Sequence, residues 1–125
     1  YFPTTDINKT VIQGAHNSQY VDALDGWQQK TQTGSIKIQE EVDRLYLGHK
    51  NYRIINNERQ ISISSNSQSS IVWNPWIDKS KWLSHYPNNG YQSMVCIESA
   101  NVLTDYVSVS AGETSKALTL EIKAG

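Results

Sequence analysis

Polar and apolar residues alternate along much of the chain with a period of two. Ile36 and Ile38 alternate with polar neighbours in GSIKIQ, Ile61 and Ile63 in RQISISS, Val107 and Val109 in DYVSVSAG, and Leu118, Leu120 and Ile122 in ALTLEIKAG. Successive side chains on a strand point to opposite faces, so the pattern predicts strands with one packed and one wet face, the antiparallel habit. Turn chemistry interrupts it at Asp25-Gly26, Thr33-Gly34, Asn56-Asn57, Asn88-Asn89-Gly90 and Ala111-Gly112. Strands at this spacing predict an all-β antiparallel sandwich or barrel.

Other stretches lack the alternation. Ser70-Ile71-Val72-Trp73-Asn74-Pro75 and the opening residues read as interior strands, covered on both sides or facing a cleft, and Met94-Val95-Cys96-Ile97 reads as a strand buried on both faces. A long connection carries Trp76, Trp82, Tyr86 and Tyr91. Connections of that length in compact β domains are commonly functional, and four bulky aromatics favour an ordered one. Within it, Asp78 is expected to cap a short helix over DKSKWLS, with Trp82 and Leu83 on the packed side.

Composition narrows the class. The chain has 125 residues, 38% of them hydrophobic, enough for one core and hence a single β domain over residues 1–125. With 11 basic and 12 acidic residues and no basic stripe, it offers nucleic acid no electrostatic footprint. No apolar run approaches the roughly 20 residues of a membrane span. Cys96, the single cysteine, excludes an intrachain disulfide framework and fits a reducing, cytoplasmic setting. The opening Tyr1-Phe2-Pro3 brings two aromatics where termini are usually polar, which reads as a piece of a larger fold.

Candidate chemistry is sparse. His16, His49 and His85 have no metal-ligand spacing and read as surface or loop residues; no Gly-x-Ser-x-Gly elbow and no glycine-rich phosphate loop is present. No metal or cofactor is predicted. Cys96 reads as an inert core thiol. Glu98, directly after the apolar run, is harder to place, since a carboxylate on a buried strand costs several kcal/mol unless paired or hydrogen-bonded. It reads either as a strand-end acid turned to solvent or as a general base tuned by partial burial. Asp43 reads either as half of a surface ion pair with Arg44 or as an acceptor for a polyhydroxylated ligand, because a carboxylate can take two hydroxyl protons at once.

Four stretches, in order, carry a resemblance: YFPTTDI (residues 1–7), EEVDRLYL (40–47), IVWNPW (71–76) and NNGYQSMVCIESANV (88–102). Together they resemble the glucose-6-phosphate 1-epimerases, the hexose-phosphate mutarotase branch of the aldose 1-epimerase superfamily. The resemblance spans the whole chain but only the family's C-terminal half. It implies a contribution to a large antiparallel supersandwich of the galactose mutarotase type, with a hexose phosphate or related sugar as ligand. Family correspondence makes Glu98 the catalytic base and Asp43 a substrate-binding residue. The family's acid histidine stands two residues before a Tyr-Phe pair, which here is Tyr1-Phe2, so none of the three histidines takes that place. The phosphate-holding arginines lie mainly in the half not represented, and Arg44, Arg53 and Arg59 are not assigned to phosphate. Two expectations follow: the 125 residues alone are a poor epimerase, and uncovered sandwich faces invite self-association. The competing reading is a non-catalytic carbohydrate-binding sandwich that uses the Trp- and Tyr-rich connection.

Overall fold

The computed structural model describes residues 1–57 and 59–125. Two antiparallel sheets face each other. The first contains, in spatial order, β1 (Phe2–Pro3), β10 (Met94–Ala100), β9 (Ser69–Asn74), β6 (Val42–Leu47), β3 (Gln19–Asp22) and β4 (Gln28–Thr31). The second runs β11 (Leu120–Ala124), β8 (Arg59–Ser65), β7 (Tyr52–Asn56), β2 (Thr10–Gln13) and β5 (Ile36–Lys37). One short helix, α1 (Trp76–Trp82), follows β9. The antiparallel all-β sandwich is as expected.

The core lies between the sheets. Val42, Tyr46, Val72 and Val95 project from the first sheet onto Ile12, Ile36, Ile54 and Ile63 of the second. Burying each such side chain contributes about 1.5–3 kcal/mol, which makes the inward face the principal constraint on register. Three tyrosines link the layers: the Tyr20 and Tyr46 ring centroids are 5.1 Å apart, and Tyr46 meets Tyr52 edge-on at 6.2 Å. Two of these hydroxyls have partners, as desolvation requires. Tyr46 donates to Gln32 Oε1 at 2.7 Å, and Tyr52 is bonded to Ser70. Burial pushes the Tyr46 phenol up to about 12.

The predicted alternation holds around β5 and in β8. Ile36 and Ile38 are both buried, as is Ile63, with Ile61 packed at the margin. It fails near the C-terminus. Residues 106–119 are not strand, Val107 and Val109 are exposed, and β11 starts at Leu120 rather than Leu118. Side-chain bonds from the β8–β9 turn hold the backbone of this segment, with Asn66 Nδ2 donating to Ala117 O (2.7 Å) and Ser65 Oγ to Thr119 O (2.8 Å). The opening residues also differ from expectation. Phe2 enters the core, but β1 pairs only with β10 and forms an edge, leaving Tyr1 77% exposed.

Helix α1 is displaced from its predicted place. It begins at Trp76, with Pro75 at the cap position, and Asp78 falls inside the first turn. Asn74 does the capping: its Oδ1 accepts the Trp76 N–H at 2.8 Å. This shift turns a different side inward. Ser80 is fully buried and donates to Trp76 O at 2.5 Å, whereas Trp82, expected to pack, is 86% exposed. No helix among the described residues is long and apolar enough to cross a membrane.

Candidate functional site

The central strands of the first sheet bring the two acidic candidates together. In the β6–β9–β10 ladder Asp43 is opposite Trp73, which is opposite Cys96; one step along, Leu45 is opposite Ile71, which is opposite Glu98. Directly opposed residues share a face, so Asp43, Trp73, Ile71, Cys96 and Glu98 all project to one side. Their neighbours Val42, Val72, Val95 and Ile97 project to the other side, into the core. Asp43 and Glu98 therefore flank one intervening strand diagonally. Strands lie about 4.8 Å apart and rise about 3.3 Å per residue, which places the backbones carrying the two carboxylates roughly 12 Å apart, room for a sugar ring.

Between them is a shallow recess of about 320 Å³, lined by Tyr1, Asp43, Ile71, Trp73 and Glu98. Trp73 and Ile71 bring apolar side chains to its lining. Tyr1 meets that indole edge-on, with centroids 6.3 Å apart, and Lys79 of α1 reaches over it with Nζ 5.9 Å from the ring centre. Aromatic and carboxylate groups side by side suit a pyranose, which presents C–H faces and a rim of hydroxyls.

Burial raises the Asp43 pKa above the ordinary carboxylate value; the Glu41 and Glu98 charges add to the effect and Lys79 opposes it. Glu98 is exposed, not half-buried as the general-base reading had it. The outward face of β10 carries no covering layer at that position among the described residues, and the unbroken buried run of the strand, Met94–Ile97, stops just before it. Cys96 is buried, as expected, on the face that carries Trp73 and Glu98, and its thiol donates to Glu98 Oε1 at 3.4 Å. Burial and then the Glu98 charge push that thiol up to about 12, which keeps it protonated and unreactive.

The Asp43–Arg44 ion pair does not form, because adjacent residues on a strand face opposite ways. Arg44 turns to the inner side, 4.9 Å from the centre of the Tyr20 ring and 3.5 Å from Gln32 Oε1. Neither Arg44, Arg53 nor Arg59 lines the recess, and no histidine does. His16 accepts the Gly34 N–H through Nδ1 (2.8 Å), and His85 is exposed on the connection after α1. His49 is half-buried rather than a plain surface residue. Its Nε2–H donates to Asn51 O at 2.6 Å, and burial lowers its pKa.

One structural residue of the site escaped the sequence reading. Asn74 is wholly buried, and its Nδ2 donates to Tyr91 O (3.0 Å) and Met94 O (2.9 Å) while its Oδ1 caps α1. It joins the end of β9 to the start of β10 and so sets where the strand bearing Glu98 begins. A polar residue closing the apolar run Ile71–Trp73, just before a proline, was the available signal.

The aldose 1-epimerase family model matches residues 1–120. A protein from Cenchrus ciliaris, provisionally named glucose-6-phosphate 1-epimerase, is 30% identical over 107 residues, which are 82% of this chain and 32% of that protein. A similarly named Escherichia coli protein is 29% identical over 80% of this chain and 35% of its own length. Among solved structures, HI1317 superposes with a TM-score of 0.79 at 26% identity, over 98% of this chain and 43% of that one. The provisionally named mutarotase YeaD of Salmonella typhimurium superposes at 0.73 with 22% identity, over 78% and 34%. The chain thus spans about a third of the length of the curated relatives it matches. On a match covering nearly its whole length, the chain belongs to the aldose 1-epimerase family.

Proposed function

We propose that residues 1–125 form the C-terminal part of a domain that interconverts the α and β anomers of a hexose 6-phosphate. The observation that carries this reading is the common recess of Asp43, Trp73 and Glu98 on adjacent strands. In the proposed reaction Glu98 removes the proton of the C1 hydroxyl as a general acid protonates the ring oxygen. The bond between C1 and the ring oxygen breaks and leaves the open-chain aldehyde. Rotation about the C1–C2 bond presents the other carbonyl face, and return of both protons closes the ring as the other anomer. Asp43 holds the sugar by accepting hydroxyl hydrogen bonds, and Trp73 covers a C–H face. Rigid strands suit the base role because a proton must be taken within hydrogen-bond reach.

No histidine of this chain lines the recess, so the acid comes from elsewhere in a complete domain, and the 125 residues alone lack half of the chemistry. Saturation-transfer NMR of glucose 6-phosphate tests this. A domain of the relatives' full length carrying this segment is expected to accelerate anomer exchange, and the isolated chain to fall at least about a hundredfold short, the usual worth of one acid–base group. The rival reading, a carbohydrate-binding sandwich, predicts exchange at the uncatalysed rate for both.

A further inference from the structure

The recess is rich in acceptors. Asp43 and Glu98 both line it, and an ionised carboxylate can only accept. A sugar hydroxyl has a proton to give and lone pairs to fill, so two acids answer only half of what it offers. Two carboxylates facing one recess also repel, and the Glu98 charge adds to the rise that burial causes at Asp43. Both conditions call for a cation, and no lysine or arginine is among the lining residues.

Lys79 stands beside the rim. Its backbone is fixed relative to Trp73, because Asn74 at the end of β9 caps α1 and the Leu83 N–H closes a turn on Lys79 O at 3.2 Å. From there the ammonium lies 5.9 Å from the centre of the Trp73 indole, within reach of a cation–π contact. It is also 3.4 Å from Oε1 of Glu41, two residues before Asp43. A charge-assisted hydrogen bond is shorter, about 2.7–2.9 Å, and both partners are partly exposed, so Glu41 holds the ammonium loosely. Asp43 feels the same charge: burial raises its pKa, and Lys79 opposes the rise. An ammonium has three N–H donors, enough to keep Glu41 while donating to a second group.

We propose that Lys79 is a specificity-determining residue of the recess, its ammonium donating to the oxygen of the ring hydroxyl whose proton Asp43 accepts. This rests on the sugar recess proposed above, though not on its turnover. A pyranose covering the Trp73 indole carries its hydroxyls around its rim, and Asp43 and Lys79 meet that rim together. Acid and ammonium then satisfy one hydroxyl completely, proton and lone pair, while their opposite charges offset each other. Replacing that hydroxyl by hydrogen strands both charged groups without a partner, so the recess selects against the deoxy sugar at that position.

A binding cycle on a full-length family domain carrying this segment tests this, with glucose 6-phosphate and its 2-deoxy, 3-deoxy and 4-deoxy analogues as probes. Titration calorimetry reads affinity whether or not the domain turns the sugar over. The unmodified domain should bind one of the three analogues at least about tenfold more weakly than glucose 6-phosphate. Lys79→Met should weaken glucose 6-phosphate by a comparable factor and leave that analogue within about threefold of its original affinity. An equal loss on all four ligands would make Lys79 a general attractor for the phosphate and overturn the proposal. No loss on any of them, or no binding of any of them, would overturn it too. Discrimination that depends on Lys79 without anomer exchange would overturn the epimerase reading alone. Exchange in a domain whose discrimination ignores Lys79 would overturn this inference alone.

Discussion

The buried Cys96 thiol touches the exposed acid of the candidate site, with Sγ 3.4 Å from Glu98 Oε1. The two residues share a face because they are two apart on β10, and the contact engages one oxygen of the carboxylate. A thiol held near 12 is a donor throughout the neutral range. Its thiolate fraction is on the order of a thousandfold below that of a free cysteine near 8.5. Iodoacetamide labelling of the native chain at neutral pH, followed by mass spectrometry, should therefore be slower by a comparable factor and become rapid in denaturant. Prompt native labelling would mean that Cys96 is not sequestered.

Asp43 is held in the site at a cost. Its folded pKa is raised, chiefly by burial, so the folded state prefers the protonated form. The contribution to stability is full below the unfolded value of about 3.9 and is lost as pH rises through the folded value. Asp43→Asn should therefore raise the unfolding free energy at neutral pH, by less than about 1 kcal/mol because the group is partly solvated. The gain should vanish near pH 3. A variant less stable at pH 7 would show that Asp43 holds structure rather than ligand.

Asn74 is the opposite case, a polar residue that holds the fold. Its amide serves three backbone groups around the β9–β10 junction. Asn74→Ala leaves these without their partner and should cost about 2–4 kcal/mol in urea unfolding. A loss below about 0.5 kcal/mol would show that water replaces the amide readily.

The sandwich was legible because period two reports which face each side chain takes, and Ile36 and Ile63 meet partners on that face, while the unbroken run Met94–Ile97 is buried on both. Val107 and Val109 alternate just as well and meet none, because alternation carries no information about a partner strand; the hydrogen bonds of Ser65 and Asn66 decide that segment instead. For α1, the apolar residues suggested Trp82 as the buried side. The Asn74 cap started the helix two residues earlier and turned Ser80 inward. In the site, the diagonal approach of Asp43 and Glu98 depends on the β6–β9–β10 pairing across more than 50 residues of sequence, which no local pattern contains. It was reached through resemblance. The exposure of Glu98 could not be read from its apolar neighbours, since it depends on what lies above β10.

Sugar anomer exchange by a full-length family domain carrying this segment, with and without Glu98→Gln, bears most directly on the proposed chemistry. Saturation-transfer NMR on glucose 6-phosphate should show exchange at least about a hundredfold slower in the variant, with sugar affinity changed by no more than about threefold. Exchange at the unmodified rate in the Gln variant would remove Glu98 from the reaction and leave the recess a binding site only.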